Sequence, residues 1–383
     1  MRALIKGRVG VKAVKIVHLL NGTKAGAAEQ QFERLLGGLQ AQGVTQHVLL
    51  TTDDARAERL RAIGVTTREI QFPGRFAFMD RRTINGEIRK FAPNVVLSWS
   101  AKMGAMTEPG EHVHLGRMDR AFDASLMSGC DHLVAASQAR ADKATAAGWS
   151  NGRVHVVPSL IGPEAAAAAG RTAQKAVERK TYFTSTTTQL VFCAAELDAD
   201  CGVDVLIRAI ARLSGFYLWI AGEGPARAAL EALAHELGIK PRVRFLGWQD
   251  DLKPFLAVSD MMVSPGIQDD TGDMVMEGWS AGVPVIAADS LGPGLLIRQR
   301  ENGLLVPVGD SINLAEAIKM LSRDAATSQK LGQAGAQAFA DSWVMGKIMP
   351  RYVELLDKLV AKPPVESATP SGAPSGTPAG ATP

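Results

Sequence analysis

The chain is poor in the features that mark several whole classes of protein. Its 383 residues include three cysteines, Cys130, Cys193 and Cys201, odd in number, scattered and without metal-ligand spacing. That argues against a disulfide scaffold and fits a reducing compartment. Aromatics make up 5% of the sequence and the formal net charge is +3, too little of either for a nucleic-acid surface built on base stacking and phosphate contacts. No apolar run reaches the eighteen or so residues of a membrane-spanning helix. Nor is there a dinucleotide fingerprint: in Asn21–Gln30 (NGTKAGAAEQ) Gly22 and Gly26 are spaced wrongly for G-x-G-x-x-G, which counts against an oxidoreductase. The expected location is the cytoplasm. The basic arm at residues 1–13 (Arg2, Lys6, Arg8, Lys12) reads either as a solvated tail or as a peripheral contact to the inner face of the membrane.

What is present is an alternation of short apolar runs and helical segments. Strands are predicted at 14–20, 46–50, 68–71, 94–98, 112–115, 132–136 and 153–157, and again at 190–194, 217–221, 243–246, 261–264, 283–287 and 304–306. Helices such as 27–40, 81–91 and 138–147 fall between them. Alternation of this kind implies parallel sheets wound by right-handed crossovers. The reading is α/β, with two doubly wound Rossmann-like domains facing each other across a cleft: a first domain at 14–162, a linker with an extra helix at 163–188, and a second domain at 189–343. A C-terminal helix at 344–361 is expected to pack back toward the first domain. The tail at 362–383 is almost entirely Pro, Ala, Thr, Ser and Gly and is expected to be disordered.

The most informative stretch is Asp269–Asp310. It opens on an acidic loop (Asp269, Asp270, Gly272), runs into an apolar helix carrying one carboxylate, Glu277, and closes through a predicted glycine-rich turn (Gly292, Pro293, Gly294) and a second strand. An acidic loop at a helix mouth suits a ligand's hydroxyls, and so a sugar better than an apolar ligand. Upstream, Gly222 and Gly224 bracket Glu223 after a strand. They read either as a place where backbone approaches a nucleotide or as an ordinary strand-to-helix turn. Gly26 would leave amides free at a helix mouth that favours phosphate.

These blocks, AGEGP (221–225), FLGWQDDLKPFLAVSD (245–260), the acidic loop and ENGLLVPVGD (301–310), together resemble the family 4 retaining glycosyltransferases of group 1, which have the GT-B fold. The resemblance implies transfer of a sugar from a nucleotide-sugar donor to a cell-envelope polysaccharide or lipid-linked acceptor, with no metal or other cofactor. Members of the family carry two glutamates eight positions apart, which map here to Asp269, near the reacting sugar, and Glu277, on the ribose. Asp269 reads equally as a helix cap, and Glu277 otherwise as a surface acid. The resemblance also places Trp248 at the base, unless it is a core residue, and a sugar-contacting histidine at His114, unless it is a packed strand residue. The departure lies in Cys193–Ile210, where the family's phosphate-clasping arginine and lysine are replaced by Glu196 and Cys201. A carboxylate about 5 Å from a phosphate costs roughly 3 kcal/mol at an effective dielectric near 20. Lys24, Lys102, Arg298 and Arg300 are the candidate substitutes. This departure supports a second reading, a GT-B protein that binds or assembles without turnover; a third, a sugar-nucleotide epimerase, needs a well-formed diphosphate site and suffers from the same loss.

Overall fold

The computed structural model describes residues 14–22, 26–51, 53–70, 77–119, 122–161 and 176–361. The basic arm, Lys24, the first part of the linker with its expected helix, and the tail from 362 lie outside the described residues.

Strands form where aliphatic residues run without polar interruption, because a parallel strand is covered on both faces. In β1 (Lys15–Leu20) every residue but the first is buried. It is joined by β2 (Thr45–Thr51), β3 (Thr66–Ile70), β4 (Val95–Ser98), β5 (Val113–Arg117), β6 (His132–Ala135) and β7 (Val154–Val156). They make a seven-stranded parallel sheet of order β3-β2-β1-β4-β5-β6-β7. The second sheet has six parallel strands in the order β10-β9-β8-β11-β12-β13. Its members are β8 (Gln189–Ala194), β9 (Phe216–Ala221), β10 (Val243–Gly247), β11 (Met261–Ser264), β12 (Val285–Ala288) and β13 (Leu304–Val306). In both sheets the chain steps outward and then crosses back beside its first strand. The loops leaving β1 and β4, and those leaving β8 and β11, therefore diverge at a switch point, where a crevice opens at the carboxyl edge.

Helices α1 (Ala27–Ala41), α2 (Asp54–Ala62), α3 (Ala77–Phe91), α4 (Ala101–Met106) and α5 (Gln138–Ala146) cover the first sheet. The second carries α6 (Val203–Ala211), α7 (Arg227–Glu236), α8 (Lys253–Leu256), α9 (Asp273–Ser280), α10 (Leu291–Leu296), α11 (Ser311–Arg323) and α12 (Ala325–Ser342). The last helix, α13 (Met345–Ala361), returns to the first domain. Its buried Ile348, Met349, Tyr352, Leu355, Leu356 and Leu359 join the cluster built by Phe32, Leu35, Leu36 and Leu39 of α1. Gly38 permits that approach, since a Cβ there would meet Met349 Sδ at 2.6 Å.

Most predicted strand limits agree with the structure to within one or two residues, the usual uncertainty of element ends. The glycine-rich turn at 292–294 is a correction: these residues form α10, with Gly294 N–H donating to Ser290 O at 2.8 Å and Ile297 N–H to Pro293 O at 2.9 Å. Pro293 is tolerated because first-turn amides have no intrahelical partner to lose.

Two histidines are built into the first domain as neutral groups. His18 on β1 accepts from Trp99 Nε1 at its Nδ1 (3.4 Å), so its Nε2–H is left to donate to Gln46 Oε1 (3.1 Å). Burial lowers the His18 imidazole to about 3, against a weaker upward pull from Gln46, and lowers His114 to about 4. Both folded values lie below the unfolded one, so the unfolded chain binds more protons as pH falls below 6.5 and stability is lost in that direction. By pH 5 each histidine should remove roughly 2 kcal/mol of first-domain stability. Urea unfolding at pH 7 and pH 5 checks this, and His18→Gln should flatten the dependence.

Candidate active site

The carboxyl edges of the two sheets face one another around a cavity of about 440 Å³, within the usual range for small-ligand sites. Nearly every wall is a strand-end loop or a helix mouth. The first domain supplies the start of α1 (Ala27, Ala28), the end of β5 (Arg117, Asp119), Arg140 of α5 and Ser159 beyond β7. The second supplies Glu196 and Cys201 after β8, Gly222 after β9, Trp248 after β10, and the acidic loop Asp269–Asp273 after β11. Local folding explains the loop: Asp269 Oδ1 accepts from the amides of Thr271 (3.0 Å) and Gly272 (2.8 Å), closing a turn into α9. Gly272, with φ 71°, is the α9 N-cap. Asp269 thus closes the turn that precedes α9, without capping the helix itself, and lines the cavity.

Charge in this loop is matched from the opposite domain. Asp270 binds Arg140 at 3.0 Å and Lys143 at 3.1 Å, both on α5. Burial pushes the Asp270 carboxyl up, but these two cations outweigh it and hold it below the ordinary value. Asp273 is raised instead, by burial first and then by Asp269, and its Oδ1 is buried without a hydrogen-bond partner. At the other end of the cavity the field is negative. Glu196 and Asp200 line it, and Glu29 of α1 is raised by burial, with Glu196 adding to the effect across the cleft.

The cavity therefore gathers Asp269, Asp270, Gly222 and Trp248, and places Gly26 at the α1 N-cap beside Ala27. Trp248 is half-buried and its Nε1–H donates to Asp250 Oδ1 at 3.0 Å, so it is not a core residue. Other expectations need correction. His114 lies inside the first domain, its Nε2 2.8 Å from Ser98 Oγ and its Nδ1 3.2 Å from Gly129 O, and it does not line the cavity. Its strand reaches the cleft three residues later, at Arg117. Glu277 also lies off the cavity, where its Oε1 accepts from Arg34 Nη1 at 2.9 Å in a pair with both side chains about 4% exposed. Glu223 is exposed and paired with Arg227 one turn on. Gly222 and Gly224 (φ 138° and 158°) answer to protein rather than ligand, since a Cβ on either would meet Ala195 O at 1.8 Å or Leu197 O at 2.3 Å. Lys102, Arg298 and Arg300 are exposed and do not line the cavity.

The sequence alone marks none of Arg117, Arg140, Asp273 and Ser159 as a site residue. Their signal was topological: in a parallel α/β unit the carboxyl end of a strand and the first turn of the next helix lie on the crevice side.

A family model for glycosyl transferases of group 1 matches residues 188–324. The lipopolysaccharide core biosynthesis glycosyltransferase LpsE of Rhizobium meliloti is 30% identical over 350 residues, covering 90% of this chain and 99% of LpsE. The chain belongs to the group 1 glycosyltransferases. LpsD of the same organism, also a lipopolysaccharide core glycosyltransferase, is 29% identical and covered over its full length. Among solved structures, Anabaena HepE in complex with UDP and glucose superposes with a TM-score of 0.76 at 17% identity, over 90% of this chain and all of HepE. WaaG, a glycosyltransferase of lipopolysaccharide biosynthesis, gives 0.68 at 16% identity, over 90% of this chain and 99% of WaaG. The fold is GT-B.

In this glycosyltransferase the Arg34–Glu277 pair crosses between the domains, and Arg34 also donates to Leu160 O at 2.8 Å. Removing one partner of a buried pair strands the other charge. Arg34→Met should destabilise the protein by about 3–5 kcal/mol, with Arg34→Met/Glu277→Leu recovering much of the loss. Denaturant titration of the two variants decides it, and a cost below about 1 kcal/mol for the single variant would show the pair to be solvated.

Proposed function

We propose that this enzyme transfers a sugar, with retention of configuration, from a nucleotide-sugar donor to a saccharide or lipid-linked acceptor of a cell-envelope polysaccharide. The observation that carries the reading is the cavity between the two carboxyl edges, where Asp269, Gly222 and Trp248 of the second domain face the mouth of α1. The full-length likeness to LpsE and LpsD supports a lipopolysaccharide or polysaccharide product, and the UDP and glucose of the HepE complex support a nucleotide-sugar donor. Catalysis in this reading is positional and electrostatic: helix-mouth amides meet the donor phosphates, and the fixed carboxylate of Asp269 meets positive charge developing on the sugar. The Glu277 carboxylate takes part only where a ligand displaces Arg34 from it. No metal is assigned to the step, and transfer should survive chelation by EDTA.

Asp269→Asn separates chemistry from folding, because the amide oxygen still accepts from Thr271 and Gly272 while the charge is gone. Turnover should fall about 10- to 100-fold with donor affinity little changed. Unaltered turnover would remove Asp269 from the reaction.

A second reading, a GT-B protein that binds without turnover, is favoured by Glu196, Asp200 and Cys201 lining the place where cations would grip a diphosphate. Titration calorimetry across a panel of nucleotide sugars separates the two: saturable binding followed by transfer supports the enzyme, and no binding by the folded chain overturns it. Glu196→Arg reverses one charge in the cavity wall and should raise nucleoside diphosphate affinity about two- to tenfold through the cavity's field. Unchanged affinity would show Glu196 to be screened from the diphosphate.

A further inference from the structure

We propose that Arg117 binds the phosphoryl oxygens of the donor, so that the first domain supplies the cation that the second domain lacks. This rests on the nucleotide-sugar reading above and goes beyond it in naming which side of the cleft holds the leaving diphosphate.

Among the described residues two cations line the cavity, Arg117 and Arg140. Arg140 is spent on Asp270, with its Nε and Nη2 both 3.0 Å from Asp270 Oδ1. Arg117 is in a different state. It ends β5, is 8% exposed and lies against the face of Trp99, 4.9 Å from the ring centroid. Its side chain has no hydrogen bond or ion pair among the described residues, although five N–H donors are in place. A guanidinium so far removed from water is costly unless something accepts from it, and this one lines the cavity. Burial above all, with Arg140 nearby, pushes Arg117 below its ordinary value, opposed by Tyr352, Asp273 and Asp119. An incoming anion would relieve this.

The rest of the cavity says where such an anion goes. The β8 loop is closed to it by Glu196 and Asp200, and Cys201 offers no charge. The 15-residue helix α1 opens its amino end at Ala27 and Ala28 on the same cavity; the Glu29 carboxylate folds back on its own amide, and the amides of Ala27 and Ala28 have no intrahelical partner. Arg117 and the α1 mouth together provide a guanidinium fork and a helix dipole, the pairing that suits a diphosphate. Trp99 fixes the fork by stacking, and Trp99 is itself held by Phe32 of α1 at 5.0 Å in an edge-to-face contact. The guanidinium and the helix mouth are thus tied to one another through Trp99 and Phe32. A diphosphate gripped this way joins both domains, since the base and sugar lie toward Trp248 and Asp269.

The test is calorimetric binding of UDP, GDP and ADP, and of the matching nucleosides, to the full chain. The wild type should bind one diphosphate more tightly than its nucleoside. Arg117→Gln should cut that advantage at least tenfold while leaving nucleoside affinity unchanged, and Arg117→Lys should fall between. The ratio is taken within one sample, so partial unfolding does not imitate the effect; if Arg117→Gln does not fold, Arg117→Lys alone must still lower the ratio. An unchanged ratio in a folded variant overturns the proposal, including the case where only the acceptor's KM rises and the anion is the acceptor's. Failure of the wild type to bind any nucleotide would instead overturn the nucleotide-sugar reading itself.

Discussion

A charge buried between two domains is stabilised from the facing side, because left without a partner there it is costly. That constraint organises this glycosyltransferase. Parallel sheets bring every strand-end loop and many helix mouths to the same two edges, and the second domain's edge is acidic: Glu196, Asp200, Asp269, Asp270 and Asp273 line the cavity. The first domain replies with Arg140 and Lys143 on Asp270, and with Arg34 on Glu277. These contacts set the spacing of the edges and hence the cavity between them. Two chain crossings reinforce them: Leu160, bonded to Gln31 and Arg34 before the chain leaves the first domain, and Trp343, packed into the clusters of both domains before α13.

The same constraint separates what the sequence made legible from what it did not. Buried parallel strands announce themselves as Val, Ile and Leu runs, so β1, β4, β8 and β11 could be read directly. The acidic loop was legible because its residues are contiguous. The cations that answer it were not, since Arg34 and Glu277 are 243 residues apart and Arg140 and Asp270 are 130. Local periodicity carries no information about a partner in the other domain. His114 misled for a related reason. Alternation along a strand gives the face of a side chain but not its distance from the carboxyl edge, and β5 has to run on to Arg117 before it meets the cleft.

Gly222 and Gly224 show how one sequence feature can carry a different cause. A glycine turn after a strand fits a nucleotide's close approach, yet these two are required by the carbonyls of Ala195 and Leu197. The β8 and β9 loops are pressed together, which fixes Glu196 in the cavity wall. An acid there faces Glu29, in the first turn of α1, rather than a basic partner, which leaves the Arg117 guanidinium, among the described residues, as the cation of the cavity open to an anion.

The most direct test of this account is a crystal structure of the chain with a nucleoside diphosphate bound. The account places the phosphate oxygens against the amides of Ala27 and Ala28 and the Arg117 guanidinium, with the base toward Trp248. Phosphates seated instead on the β8 loop beside Glu196 and Cys201, or outside the cavity between the two carboxyl edges, would contradict it.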